Sequence, residues 1–102
     1  MRMILFFDLP VATDNDRRNY RKFIKQLKAE GFLQLQESVY TKLVLNHSSA
    51  ELQLKRVKSF APPSGLIQVL TVTEKQFAGM VDIIGKPEKH SEISSTDRLV
   101  IL

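Results

Sequence analysis

The sequence predicts an α+β fold in which one sheet is layered against helices in the order β-α-β-β-α-β. Three observations carry this. Residues 3–7, Met3-Ile4-Leu5-Phe6-Phe7, form a continuous apolar run, as expected of a central strand covered on both faces. Tyr20, Phe23, Ile24 and Leu27 then follow at spacings of three, one and three, which is one face of a helix. From Phe32 to Leu45 the pattern changes to alternation, the signature of extended chain.

The first strand stops at Asp8-Leu9-Pro10, because proline lacks an amide donor and keeps Leu9 extended. Asp8 therefore closes a buried strand. Thr13 or Asp14 caps the first helix, Asp16 suits its positive end, and Gly31 ends it in a left-handed conformation. In the alternating stretch, Leu33, Leu35, Val39, Leu43 and Leu45 share one face. Gln34, Gln36, Ser38, Tyr40 and Lys42 share the other, which is expected to stay open. Fourteen residues are long for one strand, so a bulge or break is expected near Gln36–Ser38. Ser48 and Glu51 form a capping box that opens a second helix running to about Phe60. Pro62-Pro63-Ser64-Gly65 is a turn, and Leu66 to Thr73 reads as a strand. Thr73 and Gln76 open a short helix that ends near Gly79, and Met80–Ile84 reads as a further brief strand.

Residues 85–97 are polar and read as a linker, after which Leu99-Val100-Ile101-Leu102 is apolar to the last residue. Such a tail is expected to pair with a sheet edge. Thirteen extended residues reach about 43 Å, enough for that edge to belong to another subunit. The whole chain of 102 residues is expected to be a single ferredoxin-like domain with this added terminal strand, and at this size an oligomer partner would help its stability.

Composition removes several functions. Apolar residues make up 43% and charged residues 25%, the proportions of an ordinary globular protein. With no cysteine, there is no disulfide, thiolate nucleophile or cysteine-ligated metal. His47 and His90 are too few for a histidine-rich metal site. No apolar run approaches the ~20 residues of a membrane span, so no membrane role and a cytoplasmic location are expected. Fifteen Lys and Arg against eleven Asp and Glu give a net charge of +4, which permits nucleic-acid binding if the charge is clustered.

It is clustered. Arg18, Arg21, Lys22, Lys25 and Lys28 lie on one surface of the first helix, Arg17 adds to them at its start, and no acid appears between Asp16 and Glu30. A merely solvated face usually interleaves glutamates, so this stripe fits phosphate or an acidic protein partner as well as it fits plain solvent. Lys55, Arg56 and Lys58 read as ordinary surface. Asp8 is the candidate for chemistry, since a carboxylate after five apolar residues is costly unless hydrogen-bonded, paired or metal-bound. Its plain alternative is a cap on the following loop. One carboxylate is too few for hydrolysis, but a two-fold dimer supplies two. Their mutual repulsion is relieved by a divalent ion, which makes magnesium or manganese the expected cofactor. Ser38 has no histidine nearby in sequence and is not a nucleophile, and Tyr40 is expected to pack at an interface.

The strand ending in Asp8-Leu9-Pro10, the helix with Arg17, Arg18, Tyr20 and Phe23, the Gly31-Phe32 pair, Gln36-Glu37-Ser38-Val39-Tyr40 and Leu70-Thr71-Val72-Thr73-Glu74-Lys75-Gln76-Phe77 occur here in an ordered set. Together they resemble the CRISPR-associated Cas-two family, the small adaptation protein, in its type II form, over essentially the whole chain. The resemblance implies a ferredoxin-like homodimer whose terminal strand crosses to its partner. It implies association with the Cas-one integrase to capture duplex DNA for spacer acquisition. It also implies a magnesium-dependent endonuclease acting on RNA or DNA, with Asp8 as catalytic residue and metal ligand, and with Arg17, Arg18 and Ser38 at family positions. Three other readings compete. A pure scaffold without catalysis, a basic dimer that spaces two integrase units and clamps duplex DNA, needs the basic stripe but not Asp8. An RNA-recognition module needs aromatic residues on its third strand, and Leu66 to Thr73 has none. A ferredoxin-like ligand-binding regulator needs a glycine-rich ligand turn, which is missing.

Overall fold

A strand that is apolar at five successive positions needs cover on both sides, and β1 (Arg2–Asp8) receives it. A computed structural model of the chain describes residues 1–85. The linker from Lys86 and the strand expected at Leu99–Leu102 lie outside the described residues. In chain order the elements are β1, α1 (Asp14–Ala29), β2 (Leu33–Gln36), β3 (Val39–Leu43), α2 (His47–Phe60), β4 (Leu66–Val72) and α3 (Glu74–Ala78). The strands form one antiparallel sheet in the order β2-β3-β1-β4, so β1 lies between β3 and β4. This is the ferredoxin-like α+β arrangement.

Alternation along β1 decides which residues go where. Met3, Leu5 and Phe7 point towards α1 and α2, where Leu5, Phe7, Phe23, Leu27, Phe32, Tyr40 and Val57 form the main core. Phe7 is its aromatic centre, meeting Tyr20 and Phe23 edge-on at centroid distances of 5.7 and 5.9 Å. Ile4 and Phe6 point the other way, and α3 lays Phe77 over Ile4 with Leu33, Leu35, Val39, Val72 and Met80 around them. Arg2 holds α3 in place through two hydrogen bonds to Glu74, at 2.7 and 2.9 Å, with its guanidinium 4.3 Å above the Phe77 ring. That pairing keeps the Glu74 carboxyl below its ordinary range.

Several expectations hold. Thr13 caps α1 and Thr73 caps α3, each in a capping box, with Asp16 and Gln76 respectively. Gly31 follows α1 at φ 94°, a left-handed conformation that a Cβ disfavours. The break near Gln36–Ser38 is a turn flanked by a register shift between Gln34 and Gln36.

Other expectations change. The helices do not all lie on one face, because α3 covers part of the second. Tyr40 is not interface packing: it is opposite Leu5 in register, 2% exposed, and belongs to the α1–α2 core. The apolar set Leu33, Leu35 and Val39 faces α3 instead, since alternation groups residues by face without saying which face α1 and α2 will cover. The cap of α2 is Asn46, not Ser48, with the Asn46 side-chain oxygen accepting from the Ser49 amide at 2.9 Å. Met80–Ile84 is not a strand; Asp82 interrupts the run, and Val81, Ile83 and Ile84 are exposed.

A polar clasp at the end of α1 was not legible in the periodicity. Lys42 on β3 donates to the Glu30 carbonyl and to Gln53 Oε1, both at 2.5 Å. Gln53 and Arg56 on α2 both donate to the Glu30 carboxylate, Arg56 in two-point fashion at 2.6 and 2.7 Å. Arg56 is therefore tied to Glu30, rather than being ordinary surface. These donors, led by Arg56 and then Gln53, lower the Glu30 pKa to about 2 from an ordinary 4.5. A depressed carboxyl stabilises the fold above its unfolded pKa and loses that contribution as pH falls through the folded one. Urea midpoints measured across this range should therefore fall between about pH 4.5 and 2, and Glu30→Gln should remove that part of the decline while lowering the midpoint at pH 7.

Candidate functional site

Asp8 is the last residue of β1, on the same face as Ile4 and Phe6, and opposite Leu66 in register. It is exposed, so the desolvation cost that the sequence attached to it does not arise. Its position is nevertheless tightly held. Leu9 immediately after it is buried, and the Phe7 amide donates to the Ser38 carbonyl at 3.1 Å, bringing the β2–β3 turn against the end of β1. On the other side the Gly65 backbone packs closely against Asp8 and Leu9. The strand end is thus fixed by backbone contacts from two neighbours, and the carboxylate projects from it. Asp8 and Ser38 lie at the same end of the sheet.

One chain does not make a metal site here. Among the described residues no group of three or more His, Cys, Asp or Glu side chains gathers to hold an ion. Asp8 offers one carboxylate, which suits a hard divalent cation only if phosphate oxygens or a second copy supply the remaining ligands.

The cations of α1 divide by what they touch. Arg17 serves the loop between Asp8 and the helix: it donates to the carbonyls of Val11 at 2.9 Å and Ala12 at 3.3 Å and pairs with Asp14. Arg18, Arg21, Lys22, Lys25 and Lys28 are exposed and make no hydrogen bond or ion pair among the described residues. At about 100° per residue they cover roughly a third of the helix surface, opposite buried Phe23 and Leu27. Arg2, Glu30 and Lys42, to which the sequence reading gave no role, hold elements together: Glu30 and Lys42 at the end of α1, and Arg2 on the α3 side of the sheet. Arg2 carried a faint signal, since it is a cation directly before an apolar run and lies one register step from the α3 cap.

The family model described as CRISPR associated protein Cas2 matches residues 1–80, which include every strand and helix described above. The chain belongs to the Cas2 family. Its similarity to individual members is extensive. It is 49% identical to the CRISPR-associated endoribonuclease Cas2 of Treponema denticola over 102 residues, covering all of both chains. It is 50% identical to the protein of that name from Streptococcus mutans over 103 residues, covering all of this chain and 93% of the relative. A third, from Ligilactobacillus salivarius, is 45% identical over 102 residues, again all of both chains. The role of this Cas2 is accordingly CRISPR-associated. Among its described residues no helix is long and apolar enough to cross a membrane.

The contact between Gly65 and the end of β1 tests how Asp8 is held. Gly65 has φ 105°, and a Cβ there would lie 2.7 Å from Leu9 Cδ2 and 2.8 Å from the Asp8 carbonyl oxygen. Gly65→Ala should destabilise the protein by about 1–3 kcal/mol in chemical unfolding. It should also shift the backbone amide resonances of Asp8 and Leu9 more than those of α2.

Proposed function

We propose that this Cas2 acts in CRISPR adaptation as a homodimeric scaffold that holds duplex DNA and docks the Cas-one integrase. One observation carries the dimer: Asp8 shares the α3 side of the sheet with exposed Phe6, Leu66 and Leu70. Pairing that surface with a second copy would cover the apolar side chains and bring two Asp8 carboxylates together. The exposed Arg18 and Lys22 of α1 contact phosphates on the outside, which gives binding without sequence preference.

A second reading, metal-dependent cleavage of RNA or DNA, is favoured by the exposed, backbone-fixed Asp8 and by the endoribonuclease names of the relatives. In it, the two Asp8 carboxylates of a dimer hold magnesium or manganese. When bound, such an ion offers Lewis acidity to a phosphate oxygen and lowers the pKa of water. The chain itself contributes the rigid end of β1, which fixes each carboxylate, and the cations that anchor flanking phosphates. Arg17 orders the loop between them.

Phe6→Glu/Leu70→Glu should convert the dimer to monomer in sedimentation, and an unchanged dimer would reject the assigned face. Asp8→Ala should abolish metal-dependent cleavage while leaving duplex affinity within about twofold, because it adds no clash and removes no cation. Persisting cleavage in a pure Asp8→Ala preparation would exclude the nuclease mechanism and leave the scaffold standing. Reversing Arg18 and Lys22 to Glu should weaken duplex binding by at least about tenfold at ~0.1 M salt and flatten its salt dependence. Unaltered binding would instead remove α1 from the DNA-contacting surface.

A further inference from the structure

The cations of α1 do not all face the same surroundings. Tyr20 and Ile24 are half-buried, packed against the main core by one side and open on the other. Together with Arg21, Lys25 and Lys28 they line a shallow open hollow of about 360 Å³. Arg18 lies outside it, and Lys22 lines a different depression with Asn19, Gln26 and the Phe60–Pro63 segment. The helix thus carries a plain cationic flank and a second flank in which three unpaired cations surround an aromatic and an aliphatic side chain.

Phosphate contact needs the charges of that second flank but not its apolar floor. Duplex backbone presents anionic oxygens without a side chain to bury, and covering Ile24 and the Tyr20 ring with a hydrated phosphate row gains little. A protein segment with an apolar residue between carboxylates matches both features. Its apolar side chain fills the hollow, and its acids meet cations whose own aliphatic stems flank the floor. The fit in charge is one-sided, because among the described residues Arg21, Lys25 and Lys28 have no acid of their own to displace. We infer that the hollow lined by Tyr20, Arg21, Ile24, Lys25 and Lys28 is a docking site for an acidic, amphipathic segment of a partner protein. This surface is separate from the Asp8 face and does not depend on the scaffold or nuclease reading.

The test is a selection from a displayed random-peptide library on the full-length protein, followed by affinity measurements on three variants. Enriched peptides should carry one aromatic or aliphatic residue flanked by at least two acids. Arg21→Gln/Lys28→Gln should weaken them by at least tenfold while changing affinity for a 20-base-pair duplex less than threefold. Arg18→Gln/Lys22→Gln should show the opposite order. Ile24→Ala, with folding verified by its circular dichroism melt, should weaken the peptides by at least fivefold and leave the duplex unaffected. Failure to enrich any acidic–apolar family overturns the proposal. So does an enriched family that binds the Arg21→Gln/Lys28→Gln protein as well as the parent. If that variant loses duplex affinity as strongly as Arg18→Gln/Lys22→Gln and no peptide is enriched, the hollow belongs to a phosphate-binding row and is no protein site.

Discussion

Burial of β1 on both of its faces is the constraint on which the rest of the structure depends. A strand apolar at five consecutive positions cannot leave either face in water without exposing Ile4 or Leu5, so it requires layers on both sides. The α1–α2 layer supplies one through Phe23, Leu27 and Val57, and α3 supplies the other through Phe77. Fully burying side chains of this size contributes about 1.5–3 kcal/mol each, far more than any surface ion pair in the molecule. On the α3 side the cover stops at Ile4 and leaves Phe6 exposed. Asp8 follows as the first ionisable group after Arg2, at a position that the strand, the Ser38 turn and Gly65 all fix.

Much of this was legible because it follows from local chemistry. The β1 run, the α1 face, the Thr13 cap, the Thr73 capping box and the left-handed Gly31 are set by residues within a turn of one another. What failed depended on partners distant in the chain. Leu33, Leu35 and Val39 announced an apolar face but not that α3, five residues long and forty residues away, would cover it. Tyr40 looked polar because its hydroxyl was weighed above its ring, whereas register places it opposite Leu5 with its ring 6.0 Å from that of Phe7. Asn46 outcompeted Ser48 by standing at the point where the chain leaves β3, a boundary that alternation does not fix. For the site, Asp8 and the α1 stripe were visible as residue types in order. The commitment of Arg17 to its own loop and the Glu30 clasp were not, since both are set by tertiary geometry.

The distribution of acids also explains why α1 has an unneutralised face. Asp14 and Asp16 are occupied at the helix start, by Arg17 and by the Thr13 cap. Glu30 at the other end is saturated by Arg56, Gln53 and the neighbouring Lys42. Between them the sequence supplies no acid, so five cations are exposed and without an ion pair among the described residues. Mutual repulsion among them is a modest cost at physiological salt, because exposed charges several ångströms apart are well screened. The same screening is lifted when an anionic surface comes within contact and expels water. A face of this kind is therefore cheap to maintain when free and strongly responsive when engaged.

Parity links the fold to the proposed activity. Side chains alternate, so Ile4, Phe6 and Asp8 share one side of β1, and Leu66 and Leu70 continue that side on β4. A one-residue slip in register would turn Phe6 into the α1–α2 core and aim Asp8 at the helices, where an unpaired carboxylate is costly. The buried side thus selects the register, and the register delivers the carboxylate to the open side together with the apolar residues that favour pairing. A second copy seated on that side brings its own Asp8 with it by symmetry, without any further residue having to specify the approach. The exposed apolar side chains beside Asp8 and the carboxylate itself are consequently two results of one alternation.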